Sequence, residues 1–474
     1  MKALLLAVAL NWNADLTQLA TELPKTHPEP FRVTTREAFL ADIEQLRARA
    51  PQLQTHEVIV ELARITATIG EGHTRLNLPI DEAYGLFHPH VGSHLPKDPS
   101  LHFRAIPLRF TILGGALYTT GGRRVARIGS MTAEEAIAAV RPVAYGDNEM
   151  QRIDVTASYL PVVEVLHARR VIPSMNEVRV TFADGTADVF KPAPPPARAA
   201  NAATKPWSFT WLEREKIVWF DYDEVLDAPD ERLAAFAARM FRFIEEHPVE
   251  RLVIDMRENY GGNHGLNRSL VHGLIRSQKL QAPGSVIALI GRRTYSAASM
   301  FAVDLERNTN AIFVGEPTAG APNGWGDPRK LVLPESGLAV YISALYWQLS
   351  HPRDKRDSIP PHVFVPPTPT GDPARDVALD FYGPPAALDG SWKGTIAVTY
   401  QRADFELVDG KVTSKALKID NVPLPETRYK FSLRPGTKRL TGIMVAEGKE
   451  FLVVAERQPA SGDDARVPAP RPSS

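Results

Sequence analysis

Four short apolar runs, IVWFDY (217–222), RLVIDMR (251–257), SVIALIG (285–291) and AIFVG (311–315), follow one another through the second half of the chain with amphipathic segments between them. The runs are nearly continuous in apolar residues, the pattern of strands buried on both faces. The segments near 229–246, 264–278 and 296–307 have helical spacing, and Leu233, Phe236, Met240 and Phe243 share one face of the first. Strand and helix in alternation predict an α/β core over residues 207–382 with largely parallel strands.

The remaining residues of the 474 are organised differently. From 12 to 80 the apolar positions recur at helical spacing (Leu16, Leu19, Leu23; Phe39, Ile43, Leu46; Val58, Leu62, Ile65), which predicts a helical N-terminal region. Residues 81–100 read as a long loop rich in Pro, Gly and His. Short alternating runs with one helical stretch at 133–141 predict a small, mostly β module over 105–190. The Pro/Ala-rich segment 191–206 reads as a linker. Strand-like runs joined by Gly-containing turns predict a β-rich module over 386–458, and the tail 459–474 has nothing to bury and reads as disordered.

Lys plus Arg and Asp plus Glu number 55 each, so no net field draws in nucleic acid or an anionic membrane. The chain has no cysteine, which excludes disulfides, a thiol nucleophile and thiolate metal ligands. No segment approaches the ~18 apolar residues of a membrane span. The apolar run Ala3–Leu10 with the small-x-small triplet Ala7-Val8-Ala9 resembles a short secretion signal, and the expectation is a periplasmic or secreted protein.

Three features of the α/β region bear on chemistry. Ser296 stands where the run 286–290 turns into a helix, a position that suits either an N-cap or a nucleophile close to unpaired amides. Gly261 and Gly262 end the run 251–257, where paired glycines make either a tight turn or an oxyanion site. VGEPTAGAPNGWGD (314–327) is a Gly/Pro-rich loop of the kind that walls a cleft. Competing motifs are weak. HEVIV at His56 lacks the second histidine of a zinc-protease helix, and His88, His90, His94 and His102 have no fixed metal-ligand spacing. Neither a G-x-S-x-G elbow nor a phosphate-binding glycine loop is present, and no cofactor or metal is expected.

The ordered set of R-x-N-x-G-G (Arg257–Gly262), T-x-S-A (Thr294–Ala297) and V-G-E-P-T (Val314–Thr318) resembles the carboxyl-terminal processing and tricorn family of serine peptidases, which includes the retinoid-binding protein repeats. TIGEGHTRL (Thr68–Leu76) and YWQLSHPRDKRDSIPPHVFV (Tyr346–Val365) extend the likeness over residues 12–382. The resemblance implies a core of the crotonase and Clp-protease type with a PDZ-like module at 105–190. In that module RVARIG lacks the usual carboxylate-binding signature. It also implies Ser296 as nucleophile, an oxyanion hole of Ala297 with Gly261 or Gly262, and His73 as general base.

Ala321 stands where the Ser-Lys branch has its lysine, which favours the Ser-His branch. For the acid that orients His73 the candidates are Asp354, Asp357 and Glu316, and His362 stands where the family usually has Asp. The implied function is hydrolysis of peptide bonds in a peptide or protein substrate. Two alternatives stay open at this point: a non-catalytic binding protein on the same scaffold, and a hydrolase of small esters or amides. The sequence carries no signal for oligomeric state.

Overall fold

The computed structural model describes residues 10–84, 86, 95–193, 205–282 and 284–380, and beyond them the backbone of strands between 391 and 457. The α/β expectation for the core is met. Its six-stranded sheet runs Val363–Phe364, Ile312–Gly315, Val286–Ile290, Arg251–Asp255, Ile217–Tyr222, Trp207–Leu212. Five of these strands are parallel neighbours, and Trp207–Leu212 closes one edge as an antiparallel hairpin partner.

Both faces of the sheet are buried, as the unbroken apolar runs require. Val218, Phe220, Leu252, Ile254, Ala288 and Phe313 point to one side, where the helices Leu233–Glu246, Arg268–Arg276 and Ala297–Asn308 cover them. Trp219, Val253, Ile287, Leu289, Ile312 and Val314 point to the other, against Ala374, Val377 and Ala378 of the helix Pro373–Asp380. The parallel strands lie side by side in sequence order, so each crossover helix returns on the same face. The carboxyl ends of all these strands therefore open on one rim, the place where ligand sites of such sheets form.

The N-terminal region is helical as expected: Trp12–Thr26, Arg36–Arg49 and Thr55–Ala67 bury Leu16, Leu19, Phe39, Ile43, Leu62 and Ile65 together. Residues 105–190 depart from the mostly β reading. They hold a hairpin (Phe110–Leu113, Ala116–Thr119) and a four-stranded sheet, but also the helices Ala133–Val140, Glu149–Tyr159 and Val163–Ala168. The helix Glu149–Tyr159 buries Gln151, Asp154, Thr156 and Ser158 beside its apolar residues, so it carries no clean apolar stripe to read.

The Gly/Pro-rich loop beyond Ile312–Gly315 is the start of a long excursion. Before returning to the sheet at Val363 the chain forms a two-stranded sheet, Asn323–Gly326 with Leu345–Gln348, and a pair Arg329–Val332 with Ala339–Ile342. Ala339–Ile342 then pairs antiparallel with the two-residue strand Arg75–Leu76, in the register Arg75 to Tyr341 and Leu76 to Val340. This arm ties the N-terminal layer to the core. A second tie is Asp15, fully buried, whose carboxylate accepts from the amides of Glu335 at 2.8 Å and Ser336 at 3.1 Å.

The backbone from 391 to 457 forms a six-stranded antiparallel sheet in which the first strand, Ser391–Val398, pairs with the last, Lys449–Arg457. The segment resembling a secretion signal, His88, His90, His94, most of the Pro/Ala linker and the tail 459–474 lie outside the described residues.

Removing the Asp15 carboxylate deprives the buried Ser336 amide and the part-buried Glu335 amide of their acceptor. Asp15→Ala is expected to lower the unfolding free energy by about 1–3 kcal/mol, the usual cost of unsatisfied buried donors. Chemical denaturation of wild type and variant measures it, and a difference near zero would show that the tie carries no stability.

Candidate active site

Ser296 is not a cap. Its side chain accepts from no amide of the helix that follows, and its backbone sits at φ 52°, ψ −125°. Strain of that kind costs about 1–3 kcal/mol and persists only where the surroundings enforce it. The enforcement comes from both motifs. Thr294 Oγ1 donates to the Met256 carbonyl at 2.8 Å and accepts from the Gly291 amide at 3.0 Å. The Tyr295 amide donates to the Asn259 carbonyl at 3.0 Å, and the Thr294 carbonyl accepts from the Ala319 amide and the Ser299 hydroxyl, each at 3.0 Å. R-x-N-x-G-G and T-x-S-A are thus two halves of one clamp that raises the serine above the sheet.

His73 arrives from the N-terminal layer, and its Nε2 lies 3.1 Å from Ser296 Oγ. Its neighbours are pinned on both sides. Thr74 Oγ1 donates to the Glu71 carboxylate and accepts from the Ser343 amide, and the Leu76 amide donates to Thr66 Oγ1 at 3.1 Å. Burial, reinforced by the Arg75 guanidinium, lowers the His73 pKa to about 4. The imidazole is neutral at neutral pH and able to accept a proton.

Gly261, at φ 107°, lies against the serine: a Cβ there would stand 2.7 Å from Ser296 Cβ and 2.8 Å from the Ala297 nitrogen. The sequence left the oxyanion donor open between Gly261 and Gly262, and the structure separates them. The Gly261 amide is engaged, donating to Asn259 Oδ1 at 2.9 Å. The Gly262 amide has no acceptor among the described hydrogen bonds, and the Ala297 amide, first in its helix, has none within it. Two idle amides beside a half-buried hydroxyl can hold a developing negative charge.

The carboxylates expected to orient His73 are committed elsewhere, which corrects that assignment. Asp354 accepts from Ser350 Oγ at 2.8 Å and from Arg356 at 2.8 Å, and these bonds hold its pKa below the usual value against the opposing effect of burial. Glu316 pairs with Arg292, whose Nε stands 2.9 Å away. Asp357 bonds Ser358, and His362 Nδ1 accepts from the Phe313 amide at 2.8 Å. Each guanidinium neighbour offers a charge-assisted bond that a neutral imidazole cannot match.

The Nδ1 side of His73 faces the Tyr295 hydroxyl at 2.6 Å, with the two rings stacked at 4.6 Å between centroids. Sequence reasoning treated Tyr295 only as a flank of the serine. Its one signal was adjacency to Ser296. A cavity of about 230 Å³ opens on Ser296, walled by His73, Arg75, Tyr145, Tyr260, Asp327 and Tyr341. Arg75 lies between the rings of Tyr145 and Tyr341, 5.0 and 5.3 Å from their centroids.

Residues 230–364 match the model of peptidase family S41, which makes the protein a serine peptidase, a hydrolase. The match spans the segment that carries Ser296 and the glycine turn, and it agrees with the resemblance carried by the motifs. A crystal structure of a CPAF mutant is similar over 77% of this chain and 94% of that one, at 11% identity and a TM-score of 0.52. Mature CPAF complexed with lactacystin covers 77% and 96%, at 12% identity and a TM-score of 0.50. The tricorn protease is similar over 77% of this chain and 36% of its own, at 13% identity and a TM-score of 0.36. At such identities the first two likenesses speak for the fold. No curated protein matches the sequence.

Gly261→Ala sets a methyl group against the nucleophile and the Ala297 amide. Hydrolysis is expected to fall by about 100-fold or more, the scale of losing an oxyanion contact. Thermal melting should stay cooperative, and a variant with wild-type turnover would remove Gly261 from the site.

Proposed function

We propose that the chain cleaves peptide bonds through an acyl-enzyme on Ser296, with His73 as general base and the Gly262 and Ala297 amides as the oxyanion hole. The observation that carries this reading is the 3.1 Å approach of His73 Nε2 to the hydroxyl of a serine held in a strained backbone conformation and free of any capping bond. Ser296 Oγ attacks the substrate carbonyl carbon while its proton passes to His73 Nε2, and the carbonyl electron pair moves onto the oxygen between the two amides. Collapse of that intermediate breaks the C–N bond, and His73 returns the proton to the leaving amine. Water, deprotonated by His73, then attacks the acyl carbon and releases the carboxylic acid, and Ser296 regains its proton. The lowered pKa of His73 suits the first step, because the base is already unprotonated when substrate binds.

A fluorophosphonate probe tests the reading directly. Wild type is expected to label at Ser296, with labelling abolished in Ser296→Ala and reduced by about 1,000-fold or more in His73→Ala. Folded wild-type protein that fails to label would overturn the peptidase mechanism in favour of a binding scaffold. A parallel panel of peptides and small esters separates proteolysis from ester hydrolysis, and turnover of esters alone would shift the substrate class.

A further inference from the structure

With Asp354 and Glu316 bound to arginines, His73 has no carboxylate of its own, yet a general base needs one tautomer. Nε2 must be the bare nitrogen so that it can take the serine proton, which places the ring hydrogen on Nδ1. The group facing Nδ1 is the Tyr295 hydroxyl, which has one hydrogen to give and two lone pairs to receive. Its surroundings decide which way the bonds run.

The half-buried Asp147 carboxylate and the Gln151 side chain also stand close enough to the Tyr295 hydroxyl to exchange hydrogen bonds with it. Gln151 Oε1 accepts from the Asp147 amide at 2.9 Å, and its NH₂ is the end that can donate to the hydroxyl. The Asp147 carboxylate accepts from the Gly72 amide at 2.6 Å. An ionised carboxylate can only accept, so the tyrosine hydrogen goes to Asp147. Both lone pairs are then left for Gln151 and for Nδ1–H of His73. Gly72 keeps the junction open: a Cβ there would lie 2.3 Å from both the Tyr295 hydroxyl and Gln151 Oε1.

We infer that Tyr295 and Asp147 are the positioning residues of this peptidase, a hydroxyl and a half-buried carboxylate acting in series to hold His73 in the tautomer that accepts the Ser296 proton. The inference rests on the Ser296 and His73 roles proposed above. No proton moves along the chain during the reaction. His73 gains one at Nε2 and keeps the one at Nδ1, and the resulting imidazolium is stabilised through the polarised tyrosine by the charge on Asp147.

The direction of the bonds reverses if Asp147 is protonated. A carboxylic acid can donate to Tyr295, which frees the tyrosine hydrogen to turn toward Nδ1 and forces the His73 hydrogen onto Nε2, facing the serine. Burial, with Glu71 nearby, raises the Asp147 pKa to about 7, against the opposing effects of the Gly72 amide, Tyr295 and Arg32. Asp354, Lys355 and Arg356 line the same cavity of about 220 Å³. Activity limited by His73 alone would persist down to about pH 4, where that ring protonates. Activity limited by the series is lost as pH falls through about 7.

The test is the pH profile of kcat/KM in wild type, Tyr295→Phe and Asp147→Asn, with fluorophosphonate labelling as the control on the serine and Trp fluorescence melting as the control on folding. The expected wild-type profile falls below about pH 7. Tyr295→Phe should lose about 100-fold or more in kcat while KM changes little, the pattern of a base with its tautomer released. Asp147→Asn should lose the limb near pH 7 and leave a lower activity that is flat toward acid. A wild-type limb near pH 4, or a Tyr295→Phe enzyme with unchanged kcat, would overturn the series while leaving the Ser296 and His73 assignments intact. Loss of labelling in wild type would instead strike those assignments.

Discussion

One hydrogen bond, from Ser296 to His73, joins residues 223 apart in the chain. Each partner belongs to a separate apolar cluster: the serine heads a helix packed on the parallel sheet, and the histidine follows a helix packed among the N-terminal elements. A contact of that span adds little through its own energy, about 1 kcal/mol for an ordinary hydrogen bond. Its geometry therefore has to be set by everything else. The arm that leaves the sheet after Gly315 and pairs with Arg75–Leu76 sets it from one side, and the clamp of Thr294, Asn259 and Met256 sets it from the other. Ser296 and His73 are what the two layers leave facing each other at their junction.

The same division explains the polarity of the site. Tyr145, Tyr260, Tyr295 and Gln151 all line the cavity over Ser296, each tyrosine contributing one hydroxyl on a large body and Gln151 an amide. Tyr260, between the two halves of the glycine turn, donates to Asp154, and Asp154 also accepts from Arg293 at 2.8 Å. Helix Glu149–Tyr159 thus grips the glycine turn through Asp154, and the segment before it accepts from the Gly72 amide, next to His73, through Asp147. Buried networks of this kind are worth having only when every member is satisfied, and that requirement accounts for the polar residues along a helix that otherwise faces the interior.

The parallel core was legible because strands buried on both faces leave unbroken apolar runs, and Ser296 and His73 were legible because their motifs are local. The orienting groups were not. Tyr295 looks like any residue beside a serine, and Asp147 sits in AYGDNEM, a segment without a motif whose meaning depends on which loop it meets. Choosing Gly262 over Gly261 required knowing that Asn259 folds back on the Gly261 amide, a bond over two residues that spacing cannot reveal. The helices within 105–190 escaped for a related reason: residues buried for their hydrogen bonds leave no hydrophobic period. Asp354 and Glu316 were plausible acids by position, and only the placement of Arg356 and Arg292 shows them neutralised.

The residues matched by the family, 230–364, contain Ser296 and the glycine turn but neither His73 nor Asp147. The portion most recognisable as a peptidase is therefore mute by itself. If the chain were cut between residues 193 and 205, one fragment would hold His73 and the other Ser296. The appearance of turnover on mixing them would count assembled molecules, so that catalysis would serve as a gauge of how well one layer finds the other.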